Sequence, residues 1–237
     1  MKKLIKKLFR IDKLIDKIDA EKQRDAFIQK ELKIIEAQKV LLDAGCGNQK
    51  YRKFCKHLLY KTQDLGEYTQ EEKLNISSNP QPNYEIGPLD YKGNVWEINE
   101  STGYFDVIMC TEVFEHIPYP IQTLQEFSRL LKKDGKLILT CPAASNRHFD
   151  PFYFYSGFSD RWLTYFLKKY GFGDIKIIPI GDYFSYILIN LISISINSNW
   201  TVRFLLAPAI FCLSKMKKTQ GSINYQCNGY FVTAHRQ

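Results

Sequence analysis

The chain lacks the cysteine spacing of a metal ribbon. Its six cysteines (Cys46, Cys55, Cys110, Cys141, Cys212 and Cys227) stand singly, with no C-x-x-C pair. That argues against a zinc ribbon and a disulfide scaffold. Several lie inside apolar runs, where a buried free thiol and a reducing compartment are expected. The basic N-terminus lacks a long apolar stretch and a small-residue cleavage site, so it is not read as a signal peptide. Nor is there a compositional deficit of core: 45% of the 237 residues are hydrophobic and 24% charged, which excludes general disorder. Acid is in short supply. Lys and Arg number 33 against 25 Asp and Glu, giving a net charge of +8 and a preference for anionic partners.

What is present divides the chain. Residues 1–38 read as a charged helical arm. Leu4, Leu8, Ile11, Ile15 and Ile18 fall on one helical stripe, and the first ten residues carry five bases and no acid. Such a helix either packs on its own domain or lies on anionic lipid. Residues 39–237 read as one catalytic domain. Strands are expected at 40–43, 58–63, 89–94, 105–110, 136–141, 174–180 and 229–236. Helices are expected at 120–131 and 159–170, the second capped by Ser159 or Asp160. Asp134-Gly135 reads as a turn, and 74–88 as a loop. Strands alternating with helices predict an α/β fold: a Rossmann-like, mostly parallel sheet with helices on both faces.

The first strand, Val40-Leu41-Leu42-Asp43, runs into Ala44-Gly45-Cys46-Gly47. The dinucleotide pattern G-x-G-x-x-G fails here, because Lys50 stands at the third glycine. The phosphate loop G-x-x-x-x-G-K-[ST] is absent as well. An acid beside a short Gly-x-Gly turn suits a cofactor bearing a cation and an amino-acid group rather than a pyrophosphate.

From about Val40 to Gly173 the sequence resembles the class I S-adenosylmethionine-dependent methyltransferases, notably the type 11 group. Asp43–Gly47, Phe105–Ile108 and Leu130–Leu137 carry the resemblance in order. It implies S-adenosylmethionine as cofactor and a set of contacts. Gly45 and Gly47 would floor the methionine part, with Asp43 orienting the turn. Asp64 would accept from both ribose hydroxyls, with Glu67 as fallback. Asn94, where the family has an acid, would meet the adenine amino group, with Asp90 as rival. Thr111 and Glu112 would line the methionine end.

Glu112-Val113-Phe114-Glu115-His116 resembles the E-x-x-E-H segment of ubiquinone-biosynthesis O-methyltransferases. At i, i+3 and i+4, Glu112, Glu115 and His116 would share a helical face. Related stretches hold a divalent ion in some proteins and none in many others, and no metal is expected. His116 and His148, each following a strand end, are the catalytic candidates for a hydroxyl acceptor. The aromatics between Phe149 and Tyr155 are read as a lid or as core.

Between the sixth strand and the last lies an apolar insertion, 183–224. Tyr183 to Val202 is a run of twenty uncharged residues, and eleven more follow Arg203. Seven Ser and Asn residues interrupt the first run. If the last strand pairs with the sixth, both ends of the insertion lie on one side and a single membrane crossing is excluded. The two segments then form a hairpin dipping into one leaflet or pack on the domain. Peripheral attachment to an anionic membrane from the cytoplasmic side is the expectation.

The expected activity is O-methylation of a small or lipid-linked acceptor, of saccharide or quinone type. Two alternatives remain: a non-catalytic cofactor-binding or membrane-scaffold protein on the same fold, and an RNA methyltransferase. Nothing resembles an added RNA-binding domain, so nucleic acid is not an expected partner. The DNA amino-methylating motif [DN]-P-P-[YF] is replaced by Cys110-Thr111-Glu112-Val113. Cys141-Pro142 reverses the order used by cytosine-carbon methylators.

Overall fold

The computed structural model describes residues 19–69 and 86–237. The expected helical stripe of residues 4–18 and most of the expected loop 74–88 lie outside them.

A sheet of seven strands organises the chain. In chain order they are β1 (Val40–Ala44), β2 (Leu59–Asp64), β3 (Tyr91–Lys92), β4 (Phe105–Thr111), β5 (Leu131–Pro142), β6 (Phe172–Ile180) and β7 (Gly229–Arg236). Their lateral order is β3-β2-β1-β4-β5-β7-β6. β1 pairs in parallel with β2 and β4, β2 with β3, and β4 with β5. The chain reverses direction across the sheet at β1 and β4, so the loops after their carboxyl ends open a crevice there.

Alternation along the strands sends side chains to two faces. Leu42, Ile108, Cys110, Leu137 and Leu139 meet Leu124, Phe127 and Leu130 of helix α2 (Pro120–Leu130) and Leu163 and Leu167 of α3 (Asp160–Lys169). On the opposite face, Leu41, Val107, Met109 and Ile138 meet Ile28 and Leu32 of α1 (Ala20–Lys33). Helices on both faces are thus established. Pro120 opens α2, where its missing N–H costs nothing. Ser159 caps α3 by accepting from the Trp162 amide at 3.1 Å.

Two strands differ from their sequence expectation. The expected third strand of six residues is only Tyr91–Lys92. The expected Asp134-Gly135 turn lies inside β5, which starts at Leu131 because Leu131 pairs with Phe105. Asp134 adopts φ +62° and the register slips between Phe105 and Val107, so the turn is absorbed as a bulge.

The described residues divide into two compact units. One comprises residues 26–178 and 230–237; the described part of the other comprises 19–25 and 179–229. In the second unit the apolar insertion forms α4 (Tyr183–Asn197), α5 (Trp200–Lys215) and the short α6 (Gln220–Tyr225). Leu188 and Ile192 of α4 pack with Ile210 of α5, supported by Leu191, Leu206 and Leu213. The Asn228 amide donates to the Ile180 carbonyl at 2.8 Å, which brings the two ends of the insertion together. Among the described residues, no helix is long and apolar enough to cross a membrane.

Candidate active site

The glycine turn after β1 is held by the next strand. Ala44 stands opposite Gln63, and the Gln63 carbonyl accepts from the amides of Gly45 and Cys46, both at 2.9 Å. The Gln63 side chain adds a second bond to the Gly45 amide at 3.1 Å and donates to the Gly93 carbonyl at 2.6 Å. Gln63 therefore ties the turn to the segment after β3. Asp43, to which the resemblance gives the role of orienting the turn, is buried, and its carboxylate accepts from the Tyr60 hydroxyl. Burial, with the charge of Asp64 adding to it, raises the Asp43 carboxyl to about 7.

Asp64 sits at the tip of β2, 4% exposed. Its Oδ2 accepts from the Gly47 amide at 2.9 Å, and its Oδ1 from the Tyr68 hydroxyl at 2.8 Å and the Gly66 amide at 3.2 Å. One carboxylate thus fastens the second glycine of the turn while receiving a hydroxyl donor. Glu67, the fallback, is exposed and ion-paired with Lys92. Asp90, the rival for adenine, is committed to Lys61 and Thr62. Asn94 donates its amide to Glu97, so its carbonyl oxygen is the atom left to accept an amino group.

These residues fit S-adenosylmethionine. Asp64 already serves a hydroxyl, the chemistry that a ribose diol requires. The turn at Gly45 excludes any side chain: a Cβ there would stand 2.4 Å from Val113 Cγ2, at a φ of +71°. Gly45 and Gly47 would hold the methionine end with Thr111 and Glu112, Asp64 the sugar, and Asn94 the base.

The E-x-x-E-H stretch does not form the expected helical face. Glu112 takes φ +53°, its amide bonds the Thr140 carbonyl at 3.1 Å, and its Oε1 accepts from Thr140 Oγ1 at 2.9 Å. That left-handed residue breaks the helical phase, and only Phe114–His116 forms a 3-10 turn. Glu115 and His116 meet a different residue, His148, from the loop after β5. The two imidazoles stand edge to face, with centroids 4.7 Å apart. Phe149 also meets His116 edge to face, with centroids 5.1 Å apart, and burial lowers the His116 pKa to about 4.

The aromatics after β5 order this loop. Phe149 and Phe152 contact each other and flank Tyr68 at 5.5 and 5.8 Å. Tyr68 thereby links the Asp64 carboxylate to the loop that carries His148. It was not singled out in the sequence, where it lies in a short polar connection.

A doubly wound sheet, a Gly-x-Gly turn after β1 and a carboxylate at the tip of β2 define a class I α/β methyltransferase. The family model described as a methyltransferase domain matches residues 17–174, and the chain belongs to that family. Solved structures agree on the fold. A SAM-dependent methyltransferase from Archaeoglobus fulgidus superposes with a TM-score of 0.55 at 17% identity, covering 94% of this chain and 97% of that one. Phosphoethanolamine N-methyltransferase 2 of Haemonchus contortus, in complex with S-adenosyl-L-methionine, gives 0.51 at 16% identity, covering 91% and 52%. A curated relative, the ubiquinone biosynthesis O-methyltransferase of Xanthomonas oryzae pv. oryzae, is 46% identical over 41 residues. That match spans only 17% of either chain.

Proposed function

We propose that the chain O-methylates a hydroxyl of a small or lipid-linked acceptor, of saccharide or quinone type, at an anionic membrane surface. The observation that carries the oxygen acceptor is the pair His116 and His148. His116 Nδ1 lies 2.7 Å from the Phe152 carbonyl and His148 Nδ1 lies 2.8 Å from the Asn146 carbonyl. A carbonyl only accepts, so each Nδ1 carries the hydrogen and each neutral ring keeps a lone pair at Nε2. Two such lone pairs suit activation of a weakly acidic hydroxyl. An amine, nucleophilic once neutral, has less need of them. S-adenosylmethionine supplies a methyl group on a sulfonium, which an acceptor displaces in line. The chain's own residues orient the two partners and exclude water.

The membrane half of the reading rests on the second unit. Trp200, Phe204 and Phe211 lie on one stripe of α5 and are 76%, 74% and 53% exposed. Ile194 and Ile196 of α4 are about as open. From residue 183 to the end of the sequence there is no Asp or Glu, whereas Arg203, Lys215, Lys217, Lys218 and Arg236 are present. Apolar side chains beside bases with no acid match an anionic leaflet.

The test uses the full chain, methyl-labelled S-adenosylmethionine and three acceptor pools: extracted membrane lipids, soluble metabolites and RNA. Label is expected in an alkali-stable ether within the lipid or metabolite pool. Label in RNA alone, or donor binding with no transfer to any pool, overturns the reading.

A further inference from the structure

The Asp64 carboxylate has about four lone-pair sites, two on each oxygen. Three are taken: Oδ2 accepts from the Gly47 amide at 2.9 Å, and Oδ1 accepts from the Gly66 amide at 3.2 Å and the Tyr68 hydroxyl at 2.8 Å. A vicinal diol that puts one hydroxyl on each oxygen finds room on Oδ2 and none on Oδ1. One donor to Oδ1 must therefore yield. Gly66 donates from the backbone of a turn with φ +77° and cannot leave without refolding it. Tyr68 donates from a side chain, which leaves by turning about its own bonds.

The Tyr68 ring also braces the loop after β5. Phe149 lies 5.5 Å from it and Phe152 5.8 Å, the second nearly perpendicular. Phe149 takes φ +56°, a left-handed conformation that a bulky residue keeps only under constraint from its neighbours. His148 immediately precedes it, and the Phe152 carbonyl accepts from His116 Nδ1 at 2.7 Å. One side chain thus touches both the carboxylate assigned to the sugar and the rings that hold the histidine loop. We propose that Tyr68 is a positioning residue that yields Asp64 Oδ1 to a ribose hydroxyl when S-adenosylmethionine binds and, in leaving, releases the loop carrying His148 to admit the acceptor. Donor binding then precedes acceptor binding. This role rests on the ribose assignment of Asp64 and on no particular acceptor.

The full chain is titrated calorimetrically with the demethylated donor, S-adenosylhomocysteine, and with its 2′,3′-dideoxy analogue. Hydrogen exchange of the amides of residues 146–155 is followed with and without S-adenosylhomocysteine. Tyr68→Phe removes the hydroxyl and keeps the ring; Tyr68→Ala removes both. The parent should bind the diol at least about tenfold more tightly than the analogue. Tyr68→Phe should bind the diol at least about threefold more tightly than the parent does, and the analogue within about twofold, because the analogue has no hydroxyl to compete for Asp64. In the parent, S-adenosylhomocysteine should speed exchange of 146–155 at least about threefold; in Tyr68→Ala that exchange should be fast with and without it. A tyrosine that only supports the fold would change neither the preference for the diol nor the response of the loop to ligand. Equal binding of the two ligands by the parent removes the ribose assignment and this role with it. A parent that prefers the diol overturns the role of Tyr68 alone if Tyr68→Phe binds it no tighter, if the variant gains equally for both ligands, or if the parent's loop exchange does not respond to ligand.

Discussion

Gly45 occupies a left-handed conformation with the Val113 side chain directly over it. Gly45→Ala therefore meets two costs, backbone strain and a clash, together about 2–3 kcal/mol. Loss of S-adenosylmethionine affinity larger than loss of thermal stability is expected, because the residue lies in the turn rather than the core. Calorimetry and a melting curve separate the two. Asp64→Ala should weaken donor binding by about 1.5–3 kcal/mol, since it removes charge-assisted hydrogen bonds; an unchanged Kd would refute the ribose assignment. Asp43 offers a pH signature. Its carboxyl is raised from an ordinary 3.8 to about 7, so the native state favours the protonated form. The stabilisation from that shift is complete below pH 3.8 and is lost as pH rises towards 7. Asp43→Asn keeps an acceptor for Tyr60 without the charge. Its stability relative to the parent should rise over that interval by up to about 4 kcal/mol, and be flat above it. Urea melts of both proteins at pH 4, 5.5 and 8 check this. At this scale the turn glycines and the acids near them stand out in the sequence by residue type alone. Gln63 does not: a glutamine mid-strand is ordinary until the β1–β2 register places its carbonyl and amide under the turn.

The elements were legible where periodicity was strong. β1, β4 and α2 were located within a residue or so, because burial on a sheet face or helix stripe imposes the period. The E-x-x-E-H stretch misled because spacing predicts a shared face only if the backbone is helical throughout. A single left-handed residue, Glu112, removed that condition. Inside the insertion, two of the residues that read as interruptions, Ser185 and Asn199, mark helix starts. Asp182 and Ser185 form a capping box for α4, and Asn199 caps α5 through the Val202 amide at 3.1 Å. Asp182 also accepts from Ser222 Oγ of α6 at 2.7 Å, joining the first and last helices of the insertion. Burial pushes its carboxyl up, but the bonds from Ser222 and Ser185 outweigh that and leave it below its ordinary value. Asp182→Ala should thus destabilise the insertion by about 1–3 kcal/mol above pH 4, an effect that fades as pH falls through the lowered value. Limited proteolysis at pH 7, with faster cleavage between 183 and 228 than elsewhere, reads it locally.

At the scale of the whole molecule, the class of fold followed from the alternation of strands and helices. The meeting of His148 with Glu115 and His116 did not. It depends on how the loop after β5 folds back, with the amides of Phe154 and Tyr155 donating to the Glu115 carbonyl at 2.9 and 3.2 Å. No local pattern encodes such a contact. The insertion poses the remaining question of where the molecule works. Each side chain of the size of Trp200 or Phe204 gains about 1.5–3 kcal/mol on leaving water completely, and each base near an anionic leaflet adds about 1 kcal/mol. The two contributions respond to different variables. Attachment should strengthen with the fraction of anionic lipid and weaken with salt as the charges are screened. Replacing Trp200 and Phe204 by Asp removes the apolar share at any salt concentration and adds repulsion from the leaflet. Sedimentation with phosphatidylglycerol-containing vesicles should therefore fall at least about tenfold in the double variant, with donor affinity intact. Deleting residues 1–19 removes the five bases of the first ten residues. It should flatten the salt dependence and move protein from the membrane fraction to the soluble one. Equal sedimentation of parent, double variant and deletion on anionic and zwitterionic vesicles would detach the enzyme from the bilayer and confine its acceptor to the soluble pool.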